Sequence, residues 1–257
     1  MVLKAYFDGG NQEVPEQYKS MTIATVSGTP EQWQSFDEDW RKTLDVHKAD
    51  FLHTTDAMAL KNYFSCKKGW TKESADALLH DCVDVAARHL HKADTWMGLN
   101  VVTLTVRFDD FARARQANPD LPRTVTELCA SDGLAFVFKW GRFIGAQWFE
   151  LYFDQGEPFY GHVYDRSHNK RSKRDIPIMK HIAHLGESDM RLVPALQLAD
   201  MFAWCGGHQP GTYLWHKRAN DLHWAGLYLG YEHMLNPRPG ILDLMKSWKL
   251  PPRRKRY

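Results

Sequence analysis

Twice in this chain an apolar strand-like segment closes on an aspartate followed by glycine. Val2 to Phe7 runs into Asp8-Gly9-Gly10, and Gln147 to Phe153 runs into Asp154-Gln155-Gly156. Alternating residues rich in strand formers predict β-strands, and the acid–glycine stretches predict turns after them. Met21 to Val26 reads as a strand pairing antiparallel with the first across the polar connection from Asn11 to Ser20. That connection is longer than a tight hairpin needs. Gly98 to Val106 and, more briefly, part of Ile176 to Leu185 complete the strand-like segments.

Helical patterns lie between these strands. Thr29-Pro30-Glu31 has the form of a helix start, with Trp33, Phe36, Trp40 and Leu44 as the apolar stripe that follows. A second helix is predicted from Thr71 to about His91, with Ala75, Leu78, Leu79, Cys82, Val85 and Ala86 inward. Thr124 to about Trp140 is helical and apolar enough to be largely buried. Strands alternating with helices give an α/β class. No repeat or low-complexity linker divides the chain, so one domain is expected over residues 1–250. It carries a helical insertion at about 29–95, and a basic tail, 251–257, follows.

Of the 257 residues, 33 are Lys or Arg and 31 are Asp or Glu, a net charge of +2. That balance neither requires nor excludes nucleic acid, and any basic surface must be local. Apolar runs are too short to span a bilayer, so no membrane partner is expected. No basic stretch followed by an apolar run opens the chain, so no signal peptide is expected. Four dispersed cysteines without a C-x-x-C pair fit reduced thiols in a cytoplasmic protein. Trp204, Trp215, Trp224 and Trp248 suggest an aromatic C-terminal core.

The last helix, Ala195 to Trp204 behind Pro194 and ahead of Gly206-Gly207, is apolar except for Gln197 and Asp200. These two share a helix face at i and i+3. A carboxylate in such surroundings must be paired, hydrogen-bonded or bound to a cation. Asp8 and Asp154 at the ends of strands ~5 Å apart, with Asp200 on a helix crossing the same edge, form a plausible oxygen-ligand set for Mg²⁺ or Mn²⁺. Two such ions ~4 Å apart activate water and stabilise the leaving oxygen in many nucleases. Asp50-Phe51-Leu52-His53-Thr54-Thr55-Asp56 is dense in polar groups, and Asp50, His53 and Asp56 are expected to line the same cleft. Arg166, Lys170, Arg171, Lys173 and Arg174 form a local basic run suited to a phosphate backbone if the acidic site is real, and otherwise to a solvated surface. P-loop and Gly-x-Ser-x-Gly motifs are missing from the sequence.

Tyr6-Phe7-Asp8-Gly9-Gly10, Leu52-His53 after Asp50, Tyr152-Phe153-Asp154 and above all Leu196-Gln197-Leu198-Ala199-Asp200 resemble successive motifs of the DUF3800 family of bacterial and phage proteins. The resemblance spans residues 2 to about 206. It implies a ribonuclease H-like mixed sheet, antiparallel at first and parallel afterwards, flanked by helices. It also implies a divalent-metal site at Asp8, Asp154 and Asp200. The family's opening motif is commonly Asp-Glu-Ser-Gly, whereas Gly9 stands here where the second acid is expected. Glu13, Asp50 or Glu187 are candidates to replace it. The expected function is a metal-dependent hydrolase cutting phosphodiester bonds in RNA or DNA, with Gln197 orienting a ligand. The competing expectation is a catalytically silent nucleic-acid-binding or assembly protein of a phage-defence or mobile-element system.

Overall fold

A computed structural model describes residues 1–10, 18–90, 98–169 and 177–208. Five strands form one sheet: β1 (Val2–Gly10), β2 (Ser20–Gly28), β3 (Asn100–Arg107), β4 (Trp148–Asp154) and β5 (Ile182–Ser188). Their spatial order is β3-β2-β1-β4-β5. β2 is antiparallel to both β1 and β3, whereas β4 is parallel to both β1 and β5. The fold is therefore mixed α/β, with helices on both faces.

One face is covered by α1 (Pro30–Val46), α3 (Lys72–His89) and the last described helix, α7 (Pro194–Gly207), with the short α2 (Thr54–Ala59) beside them. The other is covered by α5 (Val125–Phe143) and α6 (Pro158–His168). A further helix, α4 (Phe108–Ala117), follows β3 directly. Trp33, Phe36, Trp40 and Leu44, the stripe read from sequence, are the four buried residues of α1. Thr29 caps that helix, its hydroxyl accepting from Gln32 N–H while its own N–H donates to Gln32 Oε1, so both ends of the box satisfy otherwise orphaned donors. None of the helices among the described residues is long and apolar enough to cross a membrane.

The pleat decides what each side of the sheet carries, because successive side chains alternate between faces. Leu3, Ala5 and Phe7 of β1 and Phe149, Leu151 and Phe153 of β4 enter the core beneath α5 and α6. Tyr6 packs into the opposite core beneath α1 and α7. Asp8 and Asp154 share that second face by alternation. β1 and β4 pair in parallel up to Phe7 opposite Phe153, so the next residues on the two strands are the two aspartates.

One local expectation is corrected. Asp8-Gly9-Gly10 is not a turn but the continuation of β1, paired with Ala24, Ile23 and Thr22 of β2. The antiparallel ladder supplies partners for these backbone groups, so the strand gains by running on. Glycine is required at position 10 by close approach: a Cβ there would lie 2.9 Å from the Ala203 carbonyl oxygen of α7. Trp215, Trp224 and Trp248 lie outside the described residues.

Candidate functional site

The carboxyl ends of parallel β1 and β4, the edge where open α/β sheets bind ligands, meet the middle of α7. A cavity of about 160 Å³ opens there. Asp8, Asp154, Asp200 and a fourth acid, Glu157, line it together with Gly9, Gly10 and His53. Neither Lys nor Arg is among the described residues that line it. Four carboxyls from β1, β4, the turn before α6, and α7 thus face one space with no lysine or arginine among its described lining residues to balance them.

Each acid is held. Gly9 N–H donates to Asp8 Oδ1 at 2.9 Å. Met190 N–H donates to Asp154 Oδ1 at 2.9 Å. Thr54 N–H, in the first turn of α2, donates to Asp200 Oδ2 at 2.6 Å. The Asp200 and Glu157 carboxyls stand near Asp8, and like charges this close disfavour full ionisation of the set. Burial pushes Asp8 well above the usual carboxylate range, and the negative charges of Asp200, Glu157 and Asp154 push it further. Burial raises Glu157 to about 7, against the relief given by the neighbouring Asp8 side chain and the Gly9 N–H. Asp200 is raised by burial, opposed by the neighbouring His53 ring and the Thr54 N–H. Asp154 is raised by burial and partly relieved by the Met190 and Gln155 N–H groups. Among the described residues no three His, Cys, Asp or Glu side chains form a ready-made metal ligand group.

Glu157 is the residue that sequence reasoning missed. A Cβ on residue 9 would lie 2.7 Å from Glu157 Oε2 and 2.3 Å from Phe159 Cε2. The space that a side chain at position 9 would take is therefore filled by the Phe159 ring and the Glu157 carboxylate. The signal available in the sequence was an acid immediately before the Pro158 helix start, three residues beyond Asp154.

The remaining expected residues take several places. His53 lines the cavity. Asp56 stands behind it, Oδ2 lying 3.0 Å from His53 Nδ1. Asp50 is exposed, and its N–H donates to the Tyr63 hydroxyl. Glu187 is exposed on β5, and its carboxylate accepts from Gly156 N–H, bracing the turn that carries Glu157. Glu13 lies outside the described residues.

Gln197 is buried beneath the cleft. Its Oε1 accepts from Trp40 Nε1–H (2.8 Å) and Leu52 N–H (2.9 Å), and its Nε2 donates to the Met190 carbonyl (2.9 Å). One side chain thus ties α1, the strand-like run before His53 and the turn before α7 to the helix that carries Asp200. Both acceptor positions on Oε1 are used, so Gln197 sets the walls of the site. Arg166 is half-buried between α6 and α5, donating to Ser131 Oγ (2.7 Å) and Glu127 Oε1 (3.0 Å). Lys170, Arg171, Lys173 and Arg174 lie outside the described residues.

Fold and cleft together define a mixed α/β domain with a four-carboxyl cavity at the ends of its parallel strands. No protein-family model matches the chain, and no curated protein matches it.

Proposed function

We propose that the cleft is the active site of a phosphodiester hydrolase that acts on RNA or DNA with Mg²⁺ or Mn²⁺, in a ribonuclease H-like domain related to the DUF3800 family. The observation that carries this reading is the convergence of Asp8, Asp154, Glu157 and Asp200 on one cavity without a lysine or arginine among its described lining residues. Burying such a set is costly unless protons or cations compensate it. The donor set fits the group: carboxylate oxygens are the ligands that hard divalent ions prefer. A bound ion would supply positive charge to the phosphate and lower the pKa of water. The strand order, antiparallel through β3-β2-β1 and parallel through β1-β4-β5, supports the ribonuclease H-like assignment.

In this reading Asp8, Asp200 and Glu157 would hold the cation, whose positive charge would balance these crowded carboxylates. Asp154 is fixed by Met190 N–H and offers its other oxygen. Glu157 supplies the acid that the Gly9 position lacks. The silent-binder reading draws on Gly9, beside which Glu157 supplies an acid from another element.

The test is incubation of RNA and DNA oligonucleotides with the protein in Mn²⁺, in Mg²⁺ and in EDTA. Cleavage that needs the metal and disappears in Asp8→Asn is the expected result. Binding without cleavage under all three conditions supports the silent reading instead.

A further inference from the structure

Resting on the hydrolase reading, we propose that His53 is the proton acceptor of this cleft, set in its working tautomer by a relay from Asn62 through Asp56. Asn62 Nδ2 donates to both Asp56 oxygens, at 2.9 and 3.0 Å. Both oxygens therefore act as acceptors. His53 Nδ1, 3.0 Å from Asp56 Oδ2, must then carry the hydrogen of that contact.

A neutral imidazole with Nδ1–H presents the lone pair of Nε2. His53 lines the cavity, and its Nε2 has no hydrogen-bond partner among the described residues. Its backbone is fixed as well: it directly precedes Thr54, whose N–H grips Asp200. The relay itself depends on an unusual piece of backbone. Leu60 and Asn62, with φ of 49° and 51°, fold the chain sharply after α2 so that the Asn62 amide returns onto Asp56. A left-handed non-glycine residue is a strain that persists only when its surroundings hold it. Among the described residues the other imidazole at the cavity, His208, bonds through Nδ1 to the Trp204 carbonyl and meets no carboxylate.

The step balances simply. The water oxygen forms a bond to phosphorus as the bond from phosphorus to the leaving ester oxygen breaks. The proton that water gives up goes to Nε2, and Asp56 stabilises the imidazolium. The leaving oxygen takes a proton from solvent, and the imidazolium returns its own to solvent. Asp56 and Asn62 are positioning residues, acting only through His53.

The experiment combines nitrogen NMR of the His53 ring, without metal, and steady-state cleavage of an oligonucleotide in Mn²⁺. The wild type is expected to show the Nδ1–H tautomer. In Asp56→Asn, the Asn62 donor draws the new amide oxygen and turns the new NH₂ toward Nδ1, so the tautomer should flip to Nε2–H. Turnover should fall at least about 100-fold in Asp56→Asn and in His53→Gln. KM and calorimetric Mn²⁺ affinity should stay near wild type. If His53→Gln does not fold, the nearly isosteric Asp56→Asn decides alone. An Nε2–H tautomer in the wild type overturns the proposal, as does a loss seen in KM alone. Normal turnover in either variant overturns the relay and leaves the hydrolase reading standing. A wild type with the expected tautomer that cleaves nothing overturns the hydrolase reading, and the base role falls with it.

Discussion

The Glu157 carboxylate occupies the place of a side chain on Gly9: Oε2 would stand 2.7 Å from a Cβ built there. The two positions are 148 residues apart in the chain and, with the Phe159 ring at 2.3 Å, compete for one volume at the end of β1.

That competition can be tested from both sides. Gly9→Ala must displace Glu157 and the buried Phe159 ring, and overpacking of this kind costs about 1–3 kcal/mol. Denaturant unfolding measures the cost, and weaker Mn²⁺ binding should accompany it. Glu157→Gln keeps the volume and removes a charge. It is expected to be no less stable than wild type in EDTA and to lose at least about tenfold in Mn²⁺ affinity by calorimetry.

Gln197 should behave as a structural residue. Gln197→Ala leaves Trp40 Nε1–H and Leu52 N–H buried without an acceptor. Two unsatisfied donors make a loss of about 2–5 kcal/mol in unfolding free energy the expected outcome. Gln197→Glu can still accept from both donors, but it loses the donor to the Met190 carbonyl and should fall between the two. A variant as stable as wild type contradicts the clamp.

A further buried acid, outside the cleft, gives a pH dependence of its own. Burial raises Asp132 on α5 to about 7, against the pull of Arg166. Because the folded-state value lies above the unfolded one, its contribution is fully present below about pH 4 and is lost as pH rises through about 7. Asp132→Asn should therefore flatten the decline in stability between about pH 5 and about pH 8. At the upper end it should exceed wild type by roughly 1–3 kcal/mol. Thermal unfolding across that range checks the slope, and an unchanged slope contradicts the assignment.

Periodicity carried the elements well. The α1 stripe and the alternation in β1 and β4 are local patterns, and both hold in the structure. The face-sharing of Gln197 and Asp200 was equally local, but what Gln197 touches was not: Trp40 and Leu52 are brought to it by tertiary packing from 157 and 145 residues away. Asp8, Asp154 and Asp200 stood out because each acid interrupts or ends an apolar run. Glu157 has no such contrast, since it lies in a polar turn whose direction the sequence does not fix. Asp132 carries the same contrast as Asp200, an acid within a helix read as apolar, and was not singled out. α4 was not read at all. Phe108 is its one buried residue, so it has no apolar stripe to detect.

The central claim is that Asp8, Asp154, Glu157 and Asp200 form a divalent-cation site. Thermal unfolding of the wild type and Asp200→Asn, each in EDTA and in Mn²⁺, tests it most directly. Asparagine keeps an oxygen for Thr54 N–H and removes one charge from a crowded acidic set. In EDTA the variant should match or exceed the wild type, because close like charges disfavour their ionised forms. Mn²⁺ should raise the wild-type midpoint, since a cation that binds only the native state stabilises it by its affinity, and should leave the variant unmoved. A variant that loses the roughly 3–5 kcal/mol typical of a broken buried pair, beside a wild type indifferent to Mn²⁺, would make Asp200 a structural acid and contradict the claim.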